Sequence, residues 1–187
     1  MHKIIIIIIT AVLTLLVLGG GNAVLHATND MEFCVSCHSM HTNFEEYKET
    51  THYKNASGVQ TTCADCHVPK QLGPKLWAKL IAAKDVYHEI VGTIDTPEKF
   101  EQRRWEMANR VWDKMKETDS RECRNCHDFK NMDLSEQDKI ARKKHKSAEE
   151  KGKTCIDCHK GIAHEEPDEP DEPELDEEDE QELADEK

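Results

Sequence analysis

All eight cysteines of this 187-residue chain fall into four copies of one pattern, C-x-x-C-H. The copies are Cys34/Cys37/His38, Cys63/Cys66/His67, Cys123/Cys126/His127 and Cys155/Cys158/His159. This pattern is the attachment signal for c-type haem. Its chemistry needs that spacing, because two thiols form thioethers to the vinyl groups on one haem edge and the adjacent imidazole turns in as an iron ligand. Paired C-x-x-C elements also build tetrahedral zinc sites or redox dithiols. Neither alternative explains a His after every second Cys, so four covalently bound haem c groups are expected.

Axial ligation can be partly counted from the remaining histidines. The chain holds 11 His, and the motifs use His38, His67, His127 and His159. His2 and His26 flank an apolar segment, which leaves His41, His52, His88, His145 and His164 as second axial ligands or as ordinary surface residues. Motif 1 differs from the others in reading on to Ser39-Met40. The Met40 thioether is either a ligand, which raises a haem potential relative to two imidazoles, or a packing group against the ring.

These motifs need elements to carry them. Residues 4–25 are mostly apolar and uncharged behind a short basic start at Lys3, long enough for a hydrocarbon core of about 30 Å. A cleaved signal peptide would have a shorter apolar core and a small-residue cleavage site. No good site of that kind precedes Thr28, so residues 1–29 are expected to be a cytoplasmic stub and an uncleaved transmembrane anchor. The positive-inside rule then puts the rest of the chain outside the cytoplasm. In a bacterium that means a single-pass protein of the inner membrane with its haem domain in the periplasm.

The net charge of −13 belongs to the end of the chain. Residues 165–187 hold 15 Asp and Glu against one Lys, so the preceding 164 residues carry −13 + 14 = +1. That composition predicts a disordered acidic tail. Its role is either solubility or attraction of a basic partner.

Between anchor and tail the fold class is expected to be mainly α, a small helical and loop domain over 30–164 with no substantial sheet. Thr96-Pro97 reads as a helix start, followed by Phe100, Met107, Ala108, Val111, Trp112 and Met115 at helical spacing. A second helical pattern covers 75–94, with Leu76, Leu80, Ala83, Tyr87 and Ile90/Val91 as its stripe. Two two-haem halves, 30–74 and 119–164, then flank a helical connection over 75–118. So few apolar residues cannot build an ordinary core, and the haems are expected to supply much of the buried apolar surface.

Five segments are long and specific: LHATNDMEFCVSCHSM (25–40), HYKNASGVQTTCADCHVP (52–69), KDVYHEIVGTID (84–95), MKETDSRECRNCH (115–127) and GKTCIDCHKGIAH (152–164). In these the chain resembles the NapC/NirT family of membrane-anchored tetrahaem quinol dehydrogenases, over essentially all of residues 1–164. The resemblance implies oxidation of menaquinol or ubiquinol at haem 1 and delivery of electrons to a periplasmic reductase, nitrate reductase first among them, in anaerobic respiration. It makes Met40 the ligand of haem 1. It also makes His145 the distal ligand of the haem at Cys63/Cys66, His164 that at Cys123/Cys126, and His52 that at Cys155/Cys158. It points to Asp85, with Lys79, as the quinol site, where a carboxylate is a sensible proton acceptor; the ordinary reading of Lys79, Lys84 and Asp85 is a solvated helix face. Where relatives often read C-x-x-C-H-x-P-H, this chain has Lys70, which leaves the sixth position of haem 1 open. The expected partners are the quinol pool, the reductase and the lipid bilayer, with no nucleic acid; a homo-oligomer is left open. Two other classes stand beside this one: a terminal reductase of a small nitrogen oxide, for which His41 and His88 are spare, and a general periplasmic electron-transfer hub.

Overall fold

The computed structural model describes residues 1–170 and contains no strand among them. The tail from residue 171 onward, for which disorder is expected, lies outside the described residues.

The first helix, α1, spans His2–Ala27 and is uncharged beyond Lys3, with no buried residue. Its 26 residues make a rod about 39 Å long, the one helix among the described residues long and apolar enough to cross a membrane. Thr28 ends it by turning both its amide and its hydroxyl back onto the Val24 carbonyl, at 2.9 and 2.8 Å.

Short helical pieces then carry the motifs. Helix α2 (Met31–Val35) and a 3-10 turn (His38–Met40) bracket motif 1, followed by α3 (His41–Lys48), and α4 (Cys63–His67) is motif 2 itself. The long connection consists of α5 (Leu72–Ile90) and α6 (Pro97–Glu117). A 3-10 turn (Cys123–Asn125) carries motif 3, α7 spans Lys139–Glu150, and a last 3-10 turn (Cys155–Asp157) carries motif 4.

Helix α6 follows its sequence signal closely: the Thr96 hydroxyl accepts the Lys99 amide at 3.3 Å, and Pro97 takes the first position. Helix α5 is displaced from the expected 75–94. It starts at Leu72, because Pro74 falls in the first turn where a missing N–H costs nothing. It ends at Ile90, because Gly92 adopts φ +71° and the Thr93 amide folds back to the His88 carbonyl at 2.9 Å.

The apolar core is as small as the composition implies. Among the described residues only Tyr47, Phe100, Trp112 and Ile156 are buried hydrophobics. They are joined by specific polar ties. The Tyr47 hydroxyl donates to the Thr61 carbonyl at 2.5 Å, holding α3 to the segment before motif 2. Arg104 of α6 pairs with Glu46 of α3 at 2.5 Å, with both side chains largely shielded. The fully buried Ser120 hydroxyl accepts the Ile156 amide at 3.1 Å, joining the end of α6 to motif 4. Trp112 packs edge-on against Trp105, centroids 5.8 Å apart, beneath the Lys160 ammonium at 4.0 Å.

Candidate functional site

Motifs 2, 3 and 4 each fold into about one helical turn, which sets the first cysteine and the histidine, four residues on, along one side. In motifs 3 and 4 the histidine amide bonds back to the first cysteine's carbonyl, at 2.8 Å for His127 and 3.0 Å for His159. Motifs 2 and 4 share a device written in their sequences, T-C-x-D-C-H. Thr62 with Asp65, and Thr154 with Asp157, form reciprocal capping boxes at the start of the turn. Motif 3 is set differently. Asp119 and Ser120 adopt left-handed φ values of 53° and 48°, a conformation costly for non-glycine residues. Burial of Ser120 and an Arg124 clamp on Asp119, 2.7 Å to its carbonyl and 2.8 Å to its carboxylate, hold that turn.

Identical spacing therefore does not give eight equivalent attachment cysteines, and the second cysteines of three motifs are set differently from Cys66. Cys37 lies between two elements rather than on a turn. Its backbone is extended, φ −81° and ψ 133°, where α2 has ended and the His38–Met40 turn begins, and its carbonyl accepts the Met40 amide at 3.1 Å. Cys126 and Cys158 each follow the last residue of a 3-10 turn, with their amides bonded back to Cys123 and Cys155 at 3.2 Å. Both are exposed, whereas the other six cysteines, Cys37 among them, are half-buried. Shielding thus reaches the first cysteine of motifs 3 and 4 and not the second. The cause is local: a 3-10 turn of three residues ends before the second cysteine, which leaves that side chain at the rim. In motif 2 the longer α4 includes Cys66 and keeps it shielded.

Three pairs of imidazoles stand close to one another, one edge-on with planes 82° apart and two tilted by 34° and 32°. His52 and His127 have ring centroids 6.2 Å apart, His67 and His164 6.2 Å, and His145 and His159 6.0 Å. Two metal–nitrogen bonds of about 2.0–2.1 Å, plus about 1.1 Å from each nitrogen to its ring centre, give about 6.3 Å for two imidazoles on one metal. The spacing therefore fits an iron between the rings. The ring nitrogens agree: Nδ1 of His145 meets Gln137 Oε1 at 2.6 Å and Nδ1 of His164 meets the Asn43 carbonyl at 3.1 Å. Each bond fixes a tautomer and leaves Nε2 for a metal. Burial holds His164 below its ordinary pKa, in the neutral form a ligand needs.

The pairing differs from the expected one at all three positions. His164 sits on His67, not on the histidine of the Cys123/Cys126 motif, because His164 and Glu165 are tied down onto α3. Asn43 takes the His164 ring, Glu46 takes the Glu165 amide at 2.9 Å, and Arg104 takes the Glu165 carbonyl at 3.0 Å. His145 sits on His159, not on the histidine of the Cys63/Cys66 motif, because α7 runs directly into motif 4 and is oriented by Gln137 and by Phe129, whose ring lies 6.0 Å from His145. His52 is thereby left with His127 rather than with the Cys155/Cys158 motif.

Motif 1 stands apart. His38 faces its neighbour His41 at 5.3 Å, closer than a shared metal allows, and no second imidazole lies across from it among the described residues. Cys34 shares a thiol hydrogen bond with Cys63, which pulls Cys34 down to about 6 and pushes Cys63 up. The attachment points of the first two groups are therefore adjacent. Burial raises Cys66 to about 11, with Cys123 close by, and burial also raises Cys123, whose own neighbour is Cys155.

Of the two expected quinol-site residues, Lys79 reaches this region and Asp85 stays exposed on α5. The Lys79 ammonium donates to the Thr28 carbonyl at 2.5 Å, one residue past the end of α1, and burial lowers its pKa. Sequence reasoning missed Glu89. Its Oε1 accepts the His38 amide at 3.0 Å, and its Oε2 is buried without a partner. The available signal was its position four residues after Asp85, on the same helical side.

Four attachment motifs, a minimal core and three facing imidazole pairs define a multihaem c-type cytochrome. The comparisons agree. The family model described as NapC/NirT cytochrome c family, N-terminal region, matches residues 1–169. A putative tetraheme cytochrome-c type protein of Allochromatium vinosum is 68% identical over 143 residues, 76% of this chain and 78% of the relative. The cytochrome c-type protein NapC of Escherichia coli K12 is 52% identical over 151 residues, 80% and 76% of the two chains. A denitrification system component, NirT, of Stutzerimonas stutzeri is 50% identical over 164 residues, 87% and 82% of the two. No solved structure matches. The chain belongs to the NapC/NirT cytochrome c family, a group of multihaem electron-transfer cytochromes carrying covalent haem c.

Proposed function

We propose that this protein is a tetrahaem quinol dehydrogenase of the inner membrane, taking electrons from menaquinol or ubiquinol and passing them to a periplasmic reductase. Residues 1–29 anchor it and residues 30–164 form the periplasmic haem domain. The cysteine pairs Cys34/Cys37, Cys63/Cys66, Cys123/Cys126 and Cys155/Cys158 hold the haems. The pairs His67/His164, His127/His52 and His159/His145 would each hold one haem iron, and Met40, with His38 nearby, would serve haem 1. Bound haem supplies reversible one-electron chemistry at iron. The protein's own part is to bring a quinol to motif 1 and to take its protons.

The observation that carries this reading is the position of α5. One of its side chains, Lys79, holds the membrane exit at Thr28 while another, Glu89, holds the motif 1 backbone at His38. Cys34 lies only six residues beyond Thr28, a reach of at most about 22 Å. Motif 1 is thus held beside the bilayer surface, where a lipid-soluble donor arrives. In this reading Asp85, exposed on the same helix, accepts a hydroxyl proton, and Lys79 fixes the helix at the membrane exit.

The similarity to NapC favours a periplasmic nitrate reductase as acceptor, and the similarity to NirT favours a denitrification partner. The test is optical. Purified full-length protein in detergent is mixed with a menaquinol analogue, alongside an Asp85→Asn variant. Rapid haem reduction in the wild type and a large loss in the variant support quinol oxidation at this site. No reduction by the analogue, with full reduction by dithionite, sinks it.

A further inference from the structure

Helix α5 is packed the wrong way round for a soluble protein. Its half-buried residues are Lys75, Ala78, Lys79, Ala82, His88 and Glu89, mostly small or charged, and it buries none of its large apolar side chains. Lys79 and Glu89, which bond the haem 1 segment, belong to that set. The large apolar residues Leu76, Leu80, Tyr87 and Ile90 recur at i, i+4, i+11 and i+14, on a stripe about 130° round the helix from Lys75, Ala78, Ala82 and Glu89. That stripe is open: Leu80 is 68% exposed and Ile90 79%.

We infer that this stripe of α5 is a second membrane contact, seated in the interfacial layer of the bilayer that α1 crosses. Three observations select lipid as the occupant. The first is continuity: Lys79, in the middle of α5, bonds Thr28, one residue beyond the end of the membrane-crossing candidate. The second is composition: Trp77 and Tyr87 are exposed on α5, and these are the residues enriched at membrane–water interfaces. The third is charge: Lys84 flanks the stripe while Asp85 lies nearly opposite it on the helix. A cationic flank beside an apolar stripe suits a helix lying on lipid headgroups, with the Lys84 stem buried and its ammonium at the phosphates. Haem 1 belongs to the other side, where Glu89 holds the motif 1 backbone, while Lys79 borders the stripe and reaches Thr28. The inference rests on α1 spanning the membrane and does not require quinol as the donor.

The test uses the full-length holoprotein, one copy per lipid nanodisc, with a phospholipid bearing a photoreactive group high on its acyl chain. Labelled peptides are mapped by mass spectrometry. The expected result is labelling of residues 76–91 as well as α1, with α6 and α7 unlabelled. Leu80→Glu/Ile90→Glu should cut α5 labelling about tenfold while α1 labelling and the haem spectrum stay unchanged. Label confined to α1 in the wild type overturns the inference. Cross-links between two α5 helices in discs holding two copies would then assign the stripe to a second copy, and their absence would assign it to haem 1.

Discussion

The imidazoles of His67 and His164 stand 6.2 Å apart although 97 residues separate them in the chain. Together with His52 and His127, also at 6.2 Å, they join the first pair of motifs to the second. Only His145 and His159 close within one half. The four buried hydrophobics among the described residues cannot by themselves offset the ordering of so long a chain, and in the proposed reading iron shared between these imidazoles adds to them.

This pairing is open to a double-mutant test. His164→Ala should convert one low-spin haem to high spin, and His67→Ala should affect the same haem. The double variant should therefore lose one low-spin signal in electron paramagnetic resonance, whereas His164→Ala with His127→Ala should lose two. Two signals lost from the first combination would restore the pairing that the sequence resemblance implied.

Lys79 and Asp85 should separate as positioning and proton-accepting groups. Lys79→Met removes the bond to Thr28 but keeps the aliphatic stem, so quinol-driven haem reduction should fall roughly tenfold with little change in its pH profile. Asp85→Asn should slow the reaction more, because it removes the carboxylate that takes the proton. Stopped-flow reduction by a quinol analogue measures both. Equal losses in the two variants would remove the distinction.

Much of this site was legible in the sequence. The four C-x-x-C-H motifs, the apolar first helix and α6 with its Thr96 cap follow from spacing, hydropathy and capping chemistry alone. Spacing could not tell Cys66, inside α4, from Cys126 and Cys158, which lie just past the end of shorter turns. The partner of each of these motif imidazoles was hidden too. It is decided by the segments 128–138 and 160–164, which have no periodic signal and whose course depends on single contacts such as Arg104 with Glu165. Helix α7 was missed because its apolar residues, Ile140, Ala141 and Ala148, are too few and too small for a stripe. Its remaining signal was Asp138 just before it.

The small core should make large substitutions costly. Trp112→Ala removes a buried ring, its edge contact with Trp105 and its platform for Lys160. A loss of about 3–5 kcal/mol is expected, read as a lower denaturant midpoint of the holoprotein. A change below about 1 kcal/mol would mean that the haems, not this cluster, dominate stability around α6.

The cap of α7 provides a pH-dependent check on His145. Asp138 Oδ1 accepts the amides of Ile140 and Ala141 at 2.8 and 3.0 Å. Those bonds, Ala141 first, hold its carboxyl below the ordinary value of 3.8. A carboxyl depressed on folding contributes stability that is complete above the unfolded value and is lost as pH falls through the folded one. Asp138→Ala should therefore weaken the helix, and with it the low-spin signal of the His145–His159 pair, by a constant amount above about pH 4 and by progressively less below it. Asp138→Asn keeps an oxygen acceptor and should retain most of the helix without that acid dependence. The readout is low-spin haem absorbance followed from pH 7 downward in the three proteins. An Asp138→Ala variant that matches the wild type throughout would show that Gln137 and the iron bond alone position His145.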